Sequence, residues 1–331
     1  MSLRQFLRRR APASTILAWR RFKARKLVRS YSQVDSFAEE AVDLRKVRLF
    51  RRESFPDAGP APWLDRPDAE ERIAQRLDAG ELSAADAALC RAWCRDGFVI
   101  LPGFFDDAFL DQLWQSTVDA IEAGYIPVTL DAMTEGENYE GRALDLHVVV
   151  PELRELLHYS QTLQVISLLL GRDARPFQTI AFFVGSEQGT HSDSIHMTTY
   201  PEGYLVGAWA AVEDIHPDSG PLIYYPGSHR LPYYLSQDVG IQPAETVAED
   251  FYESYHAKYE PFIAEMVESH GLEPAIHTPR KGDLLLWHAN LLHGGTPRQD
   301  KERSRKSVVC HYFAEGAICY HDLTASLART D

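Results

Sequence analysis

After Phe177 the sequence is built from short aromatic and β-branched runs, "FQTIAFFVG", "GYLVGAWAAVED", "PLIYYPGSH", "GDLLLWH" and "SVVCHYF", separated by Gly, Pro and Asp. Runs this short, with turn residues at each end, read as the strands of a β-sandwich or barrel. Ahead of them the pattern is helical. Ser83 serves as the N-cap of a helix with apolar Ala85, Leu89 and Trp93, stopped by Gly97. Phe98–Leu101 reads as a strand ended by Pro102 and Gly103. A second helix over 108–123 carries Leu110, Leu113, Trp114, Val118 and Ile121 on one face, and a third ends in "LQVISLLLG" at Gly171.

Two segments stand outside this core pattern. Residues 31–70 are irregular and proline-bearing, a linker or a segment wrapped over the core. Between two of the strands lies a long insertion, 232–278, that holds Tyr233, Tyr234, Phe251, Tyr252, Tyr255, Tyr259 and Phe262. It is either a lid over a site or helical packing outside the barrel. The organisation expected is a basic arm and linker over 1–80, then one domain over 81–331 that contains the insertion.

Charge narrows the function. Of 34 Lys and Arg residues in 331, ten lie in residues 1–34, which hold no acid, so the remainder sets 24 basic against 48 acidic residues. An acidic body has no basic stripe to neutralise phosphates, which excludes a nucleic-acid enzyme. The arm, with Leu3, Phe6, Leu7, Ile16, Leu17, Trp19 and Phe22 interleaved, is read first as a helix docked on the acidic body. The alternative is peripheral contact with an anionic membrane through residues 1–30. No apolar run reaches spanning length, and the arm is too rich in arginine for a secretory signal. Cys90, Cys94, Cys310 and Cys319 lack zinc-knuckle spacing and are expected as thiols in a reducing cytoplasm.

The chemistry concentrates in "GTHSDSIHMTTYPEGYLVGAWAAVED". Residues two apart on an extended segment point the same way, so His191 and Asp193 can reach one ion; His196 has the opposite parity. An H-x-D triplet is by itself also compatible with a polar loop. With a distant histidine it would complete the facial triad of a non-haem Fe(II) site. The candidate is His293 in "GDLLLWHANLLHGG", where Gly294 and Gly295 would let a ligand approach the backbone; His288 is the competitor, read as a packed histidine. Twelve residues beyond His293, Arg305 and Ser307 open the final strand on one face and can grip a carboxylate, with Arg303 the rival. Metal and clamp together suit a 2-oxo acid.

From Arg95 to Phe313 these stretches, with "RDGFVILPGFFDD", "GAWAAVEDIHPDSGPLIYYPGSHR" and "RKS", resemble the phytanoyl-CoA dioxygenase family of Fe(II)/2-oxoglutarate oxygenases. The resemblance implies a mostly β fold with flanking helices, a double-stranded β-helix (jelly roll, cupin-like). It implies Fe(II), 2-oxoglutarate and O2, with His191, Asp193 and His293 as ligands and Arg305 with Ser307 as the cosubstrate clamp. It also implies Trp209 and Gln178 as cosubstrate-pocket residues and Arg142 as a looser basic contact. His229 and His196 are read as substrate contacts, outer partners of the ligands, or structural. The expected activity is hydroxylation of a small organic metabolite; an isomerase or hydrolase using another metal, and a non-catalytic binding protein, are the alternatives.

Overall fold

The computed structural model describes residues 15, 47, 49–55, 59–124, 141–242, 245 and 252–328. Apart from position 15, the basic arm, and with it the choice between docked and membrane-bound, lies outside the described residues, as does Phe251. No helix among the described residues is long and apolar enough to cross a membrane.

Helices α1 (Ala69–Asp78) and α2 (Ala84–Asp96) begin the packed structure. The Ser83 hydroxyl accepts from the Asp86 amide, and the Asp86 carboxylate accepts from the Ser83 amide, so two otherwise orphaned donors fix where α2 starts. Gly97 ends it in the left-handed region at φ 78°, a conformation a side chain would strain. The buried face differs from the expected one: Trp93 anchors it, but Cys90 and Ala87 lie beneath it, Leu89 is half-buried and Ala85 is exposed. The inward row steps back by three residues where steps of four were expected.

Strand β1 (Phe98–Leu101) follows without a break, then α3 (Asp107–Glu122), where Asp106 accepts from the amides of Ala108 and Phe109. Helices α4 (Pro151–Leu157) and α5 (Ser160–Leu170) complete the outer layer. The remaining strands are β2 (Arg142–Leu144), β3 (Ala174–Phe182), β4 (Thr198–Tyr200), β5 (Leu205–Ala211), β6 (Leu222–Tyr224), β7 (Ala275–His277), β8 (Leu284–His288), β9 (His293–Gly295), β10 (Ser307–Ala314), β11 (Ile318–His321) and β12 (Ser326–Leu327). A six-stranded antiparallel sheet runs β1-β8-β5-β10-β3-β2; two three-stranded sheets run β7-β6-β9 and β12-β11-β4. This is a jelly roll flanked by helices.

Strand parity sorts the large sheet into two cores. Ala208, Ala210, Leu284, Leu286, Val308, Cys310 and Tyr312 face the helices. Trp209, Ala211, Leu285, Trp287 and Val309 face inward with Phe182 and Leu222. Burial on both faces explains why these strands read as continuous apolar runs rather than alternating ones. Among the described N-terminal residues, Phe50, Phe55 and Leu64 are buried in the core, while Arg52 bridges Glu202 and Asp238.

Two expectations change. The strand opened by Ser307 is followed by β11 and β12, whose "ICYH" is short enough to pass for a turn. The insertion returns to the sheet before its expected end, since Ala275–His277 pair with β6. Its described body holds a π-helical turn, Tyr255–Tyr259, leading into α6 (Glu260–Ser269). Tyr255, Tyr259 and Ile263 pack against Ile195, Leu292 and Leu323. The insertion therefore braces the loop that precedes β4.

Candidate active site

His191 and His293 form an isolated antiparallel bridge, each amide donating to the other's carbonyl at 2.8 Å. Their rings consequently sit with centroids 4.5 Å apart. Asp193 joins them, and one ligand atom from each of the three residues lies within 4.8 Å of the others, all buried. The chain does not stay extended through the triplet as parity assumed. Ser192 is extended, but Asp193 opens a short 3-10 turn, and its carbonyl accepts from the amides of His196 and Met197. That turn brings His196 onto the cavity wall despite its parity.

Hydrogen bonds fix which nitrogen each histidine offers. Nδ1 of His191 lies 2.8 Å from the Gly189 carbonyl, and Nδ1 of His293 lies 2.9 Å from the Leu291 carbonyl. A carbonyl only accepts, so both Nδ1 atoms carry a proton, which leaves Nε2 as the atom each ring can offer to an ion. Burial, with His293 and His196 nearby, holds His191 well below its ordinary value, which keeps it neutral. Burial alone would raise the Asp193 carboxyl, but the neighbouring His293 and the hydrogen bond from His311 outweigh it and hold the group far below the usual carboxylate range. Two imidazole nitrogens and one anionic oxygen fit a divalent first-row ion and leave positions open.

Along the cavity from this cluster sits Arg305, 3% exposed and without an ion-pair partner among the described residues. Its guanidinium lies over the rings of Phe182 at 5.2 Å and Trp209 at 5.8 Å. Burial pushes it from 12.5 down to about 10. Arg305 Nε, Ser307 Oγ and Trp209 Nε1 are buried without a hydrogen-bond partner among the described residues. Three such donors call for an acceptor, and a carboxylate supplies one. Arg303, the rival, is instead at the surface, paired with Asp300 at 3.0 Å.

The cavity, about 240 Å³, is also lined by Gln178, Arg142, Ile180, Leu222, Met197, Tyr252 and His321. Gln178 and Trp209 thus line the same cavity as Arg305. His288 does not line it: its Nε2 meets Asp65 Oδ2 at 3.2 Å and its Nδ1 accepts from the Asn290 amide. His229 packs beside His288 and is pushed down to about 3, chiefly by burial. Gly294 lines the cavity, and both glycines after His293 also make room for the chain itself. A Cβ on Gly294 would lie 2.8 Å from the Gln188 carbonyl oxygen, and one on Gly295 would lie 2.7 Å from Ser186 Oγ.

Sequence reasoning passed over Trp287, His311 and His321, which also line the cavity. Parity carried the signal for His311, four residues after Ser307 on the same strand. Trp287 had the inward parity of Leu285, but an apolar run is more readily read as core.

Known proteins fit this arrangement. The family model described as phytanoyl-CoA dioxygenase matches residues 93–307. An ectoine dioxygenase of Sphingopyxis alaskensis is 29% identical over 254 residues, covering 70% of this chain and 79% of that protein. Among solved structures, EctD from S. alaskensis superposes with a TM-score of 0.55 at 21% identity, covering 75% of this chain and 84% of the other. The epimerase SnoN, in complex with Fe3+ and alpha ketoglutarate, reaches 0.54 at 19% identity, covering 71% and 86%. Both have the jelly-roll fold.

Proposed function

Because the chain belongs to the phytanoyl-CoA dioxygenase family and is an Fe(II)- and 2-oxoglutarate-dependent dioxygenase, we propose that it hydroxylates a C–H bond of a small organic metabolite. In this reading His191, Asp193 and His293 hold the iron. Arg305 with Ser307 holds the far carboxylate of 2-oxoglutarate, beside Trp209 and Gln178. The observation that carries the reading is the guanidinium of Arg305, unpaired among the described residues and buried in the same cavity as a cluster of two histidines and a carboxylate.

Iron, 2-oxoglutarate and O2 supply the oxidising chemistry: the cosubstrate loses CO2 and becomes succinate with one oxygen atom, and the other enters the substrate as hydroxyl. The chain supplies the rest. Gly189 and Leu291 carbonyls aim the two Nε2 lone pairs, and Asp193 adds the one negative charge. Arg305 orients the cosubstrate by a charge-assisted contact, and Ile180, Phe182, Leu222 and Val309 keep the cavity apolar around it. A cavity of about 240 Å³ supports a compact reacting group, as does the likeness to ectoine dioxygenases. Residues 81–331 are read as the catalytic domain and 1–80 as arm and wrapping segment, supported by the burial of Phe50, Phe55 and Leu64. A cytoplasmic setting is part of the same reading, supported by the free thiols of Cys90, Cys94, Cys310 and Cys319.

Anaerobic addition of Fe(II) and then 2-oxoglutarate should produce a weak visible absorption band, and O2 should then yield succinate. Neither band nor succinate with the intact protein would overturn the reading.

A further inference from the structure

A carboxylate ligand has two oxygens, and one that rotates freely can offer both to an ion and occupy two positions. Asp193 is not free. Its Oδ1 lies 3.6 Å from His293 Nε2, on the side of the histidine lone pairs. Its Oδ2 turns away, accepting from Trp287 Nε1 at 2.7 Å, with His311 Nε2 at 3.5 Å from the same oxygen. We infer that Trp287 and His311 are positioning residues that hold the outer oxygen of Asp193, so that this residue binds metal through Oδ1 alone. The inference rests on the reading of Asp193 as a ligand.

The sheet is built for this contact. Trp287 on β8, Gly207 on β5 and His311 on β10 are register partners in one row across three neighbouring strands. A Cβ on Gly207 would collide with the Trp287 indole, so only glycine lets that ring lie across β5 toward His311. The two rings meet edge to face at 6.5 Å. A glycine in the middle of a buried strand weakens it, and here the missing side chain makes room for the indole. An indole N–H is a donor only, so Trp287 can restrain the carboxylate without competing for the ion. The restraint comes from the rigid sheet, whereas Asp193 rides on a loop.

The test is Trp287→Phe, which keeps an aromatic ring and removes the donor. Anaerobic titration should show Fe(II) affinity reduced about tenfold or more, as outer partners of metal ligands typically give. The visible spectrum of the Co(II)-loaded protein should change in shape, because the carboxylate can turn in. His311→Leu should weaken Fe(II) binding in the same direction by a smaller factor, and His311→Gln, which keeps a donor, should recover most of it. Unchanged Fe(II) affinity and an unchanged Co(II) spectrum in Trp287→Phe would overturn the inference. If Trp287→Phe fails to fold, His311→Leu decides it by the same two readouts. Asp193→Ala separates the levels: Fe(II) affinity retained there overturns the ligand reading and this inference together. Affinity lost there but kept in Trp287→Phe overturns the inference alone.

Discussion

Replacing Arg305 with Met keeps most of the side chain's length and removes its charge, and two effects of opposite sign should follow. Burial lowers the guanidinium from 12.5 to about 10, and no carboxylate offsets it. At about 1.4 kcal/mol per tenfold change in proton affinity, holding that charge inside costs on the order of 3 kcal/mol. The rings of Phe182 and Trp209 return part of this, about 0.5–2 kcal/mol. Without cosubstrate, Arg305→Met should therefore be more stable than the parent by roughly 1–2 kcal/mol, a rise of a few degrees in Tm. With 2-oxoglutarate the order should reverse. A ligand at a hundredfold excess over its Kd adds about 2.7 kcal/mol of stability. Losing a charge-assisted contact worth about 2–3 kcal/mol weakens binding by roughly 30- to 150-fold and removes nearly all of that gain. Thermal melting under anaerobic Fe(II), with and without 2-oxoglutarate, measures both effects. A variant that melts below the parent without cosubstrate, yet gains as much from it, would refute the reasoning.

His293→Ala should abolish Fe(II) binding in anaerobic titration, whereas His288→Ala should retain most of it and lose about 1–3 kcal/mol of stability to urea, since Asp65 loses its partner. If Asp193 ligates the iron as proposed, its carboxylate would occupy the position a halide would need, and mass spectrometry should find no chlorinated product in high chloride. Burial lowers His277 to about 4, so the folded state binds fewer protons than the unfolded chain below its ordinary 6.5. The stability it contributes is complete above 6.5 and is lost as pH falls toward 4, on the order of 3 kcal/mol, and His277→Gln should flatten urea midpoints across that window. Tyr259→Phe removes the hydroxyl that meets the Ser192 amide at 3.3 Å and its Oγ at 3.2 Å, and should lower stability by about 1 kcal/mol.

What the sequence made legible follows from which signals are local. Short aromatic and β-branched runs bounded by turn residues located β1, β5, β8 and β10. The pairing of His191 and Asp193 with His293 was readable because chemistry restricts the residue types. Arg305 was separable from Arg303 only in three dimensions, where one is buried beside Trp209 and the other pairs with Asp300. The 3-10 turn at Asp193 has no sequence signature, and neither does the collision that demands Gly207. Each depends on a neighbour distant in sequence: Ala289, whose carbonyl accepts from the Ser194 amide, and Trp287. The inward face of α2 was misread because Leu89 outranks Cys90 in hydropathy, yet the packing selects the row beneath Trp93.

The insertion between β6 and β7 performs two jobs with adjacent residues. Tyr252 forms part of the cavity wall, while Tyr259, seven positions on, holds Ser192 between two of the candidate ligands. On the proposed reading, the shape of the cavity and the retention of iron would be mechanically tied. Transplanting this segment from a relative to alter what the enzyme accepts would also replace the brace behind His191 and Asp193, and the chimera's first defect would be leakage of iron. A graft that leaves Tyr255–Tyr259 and α6 in place and varies only the chain before them would uncouple the two.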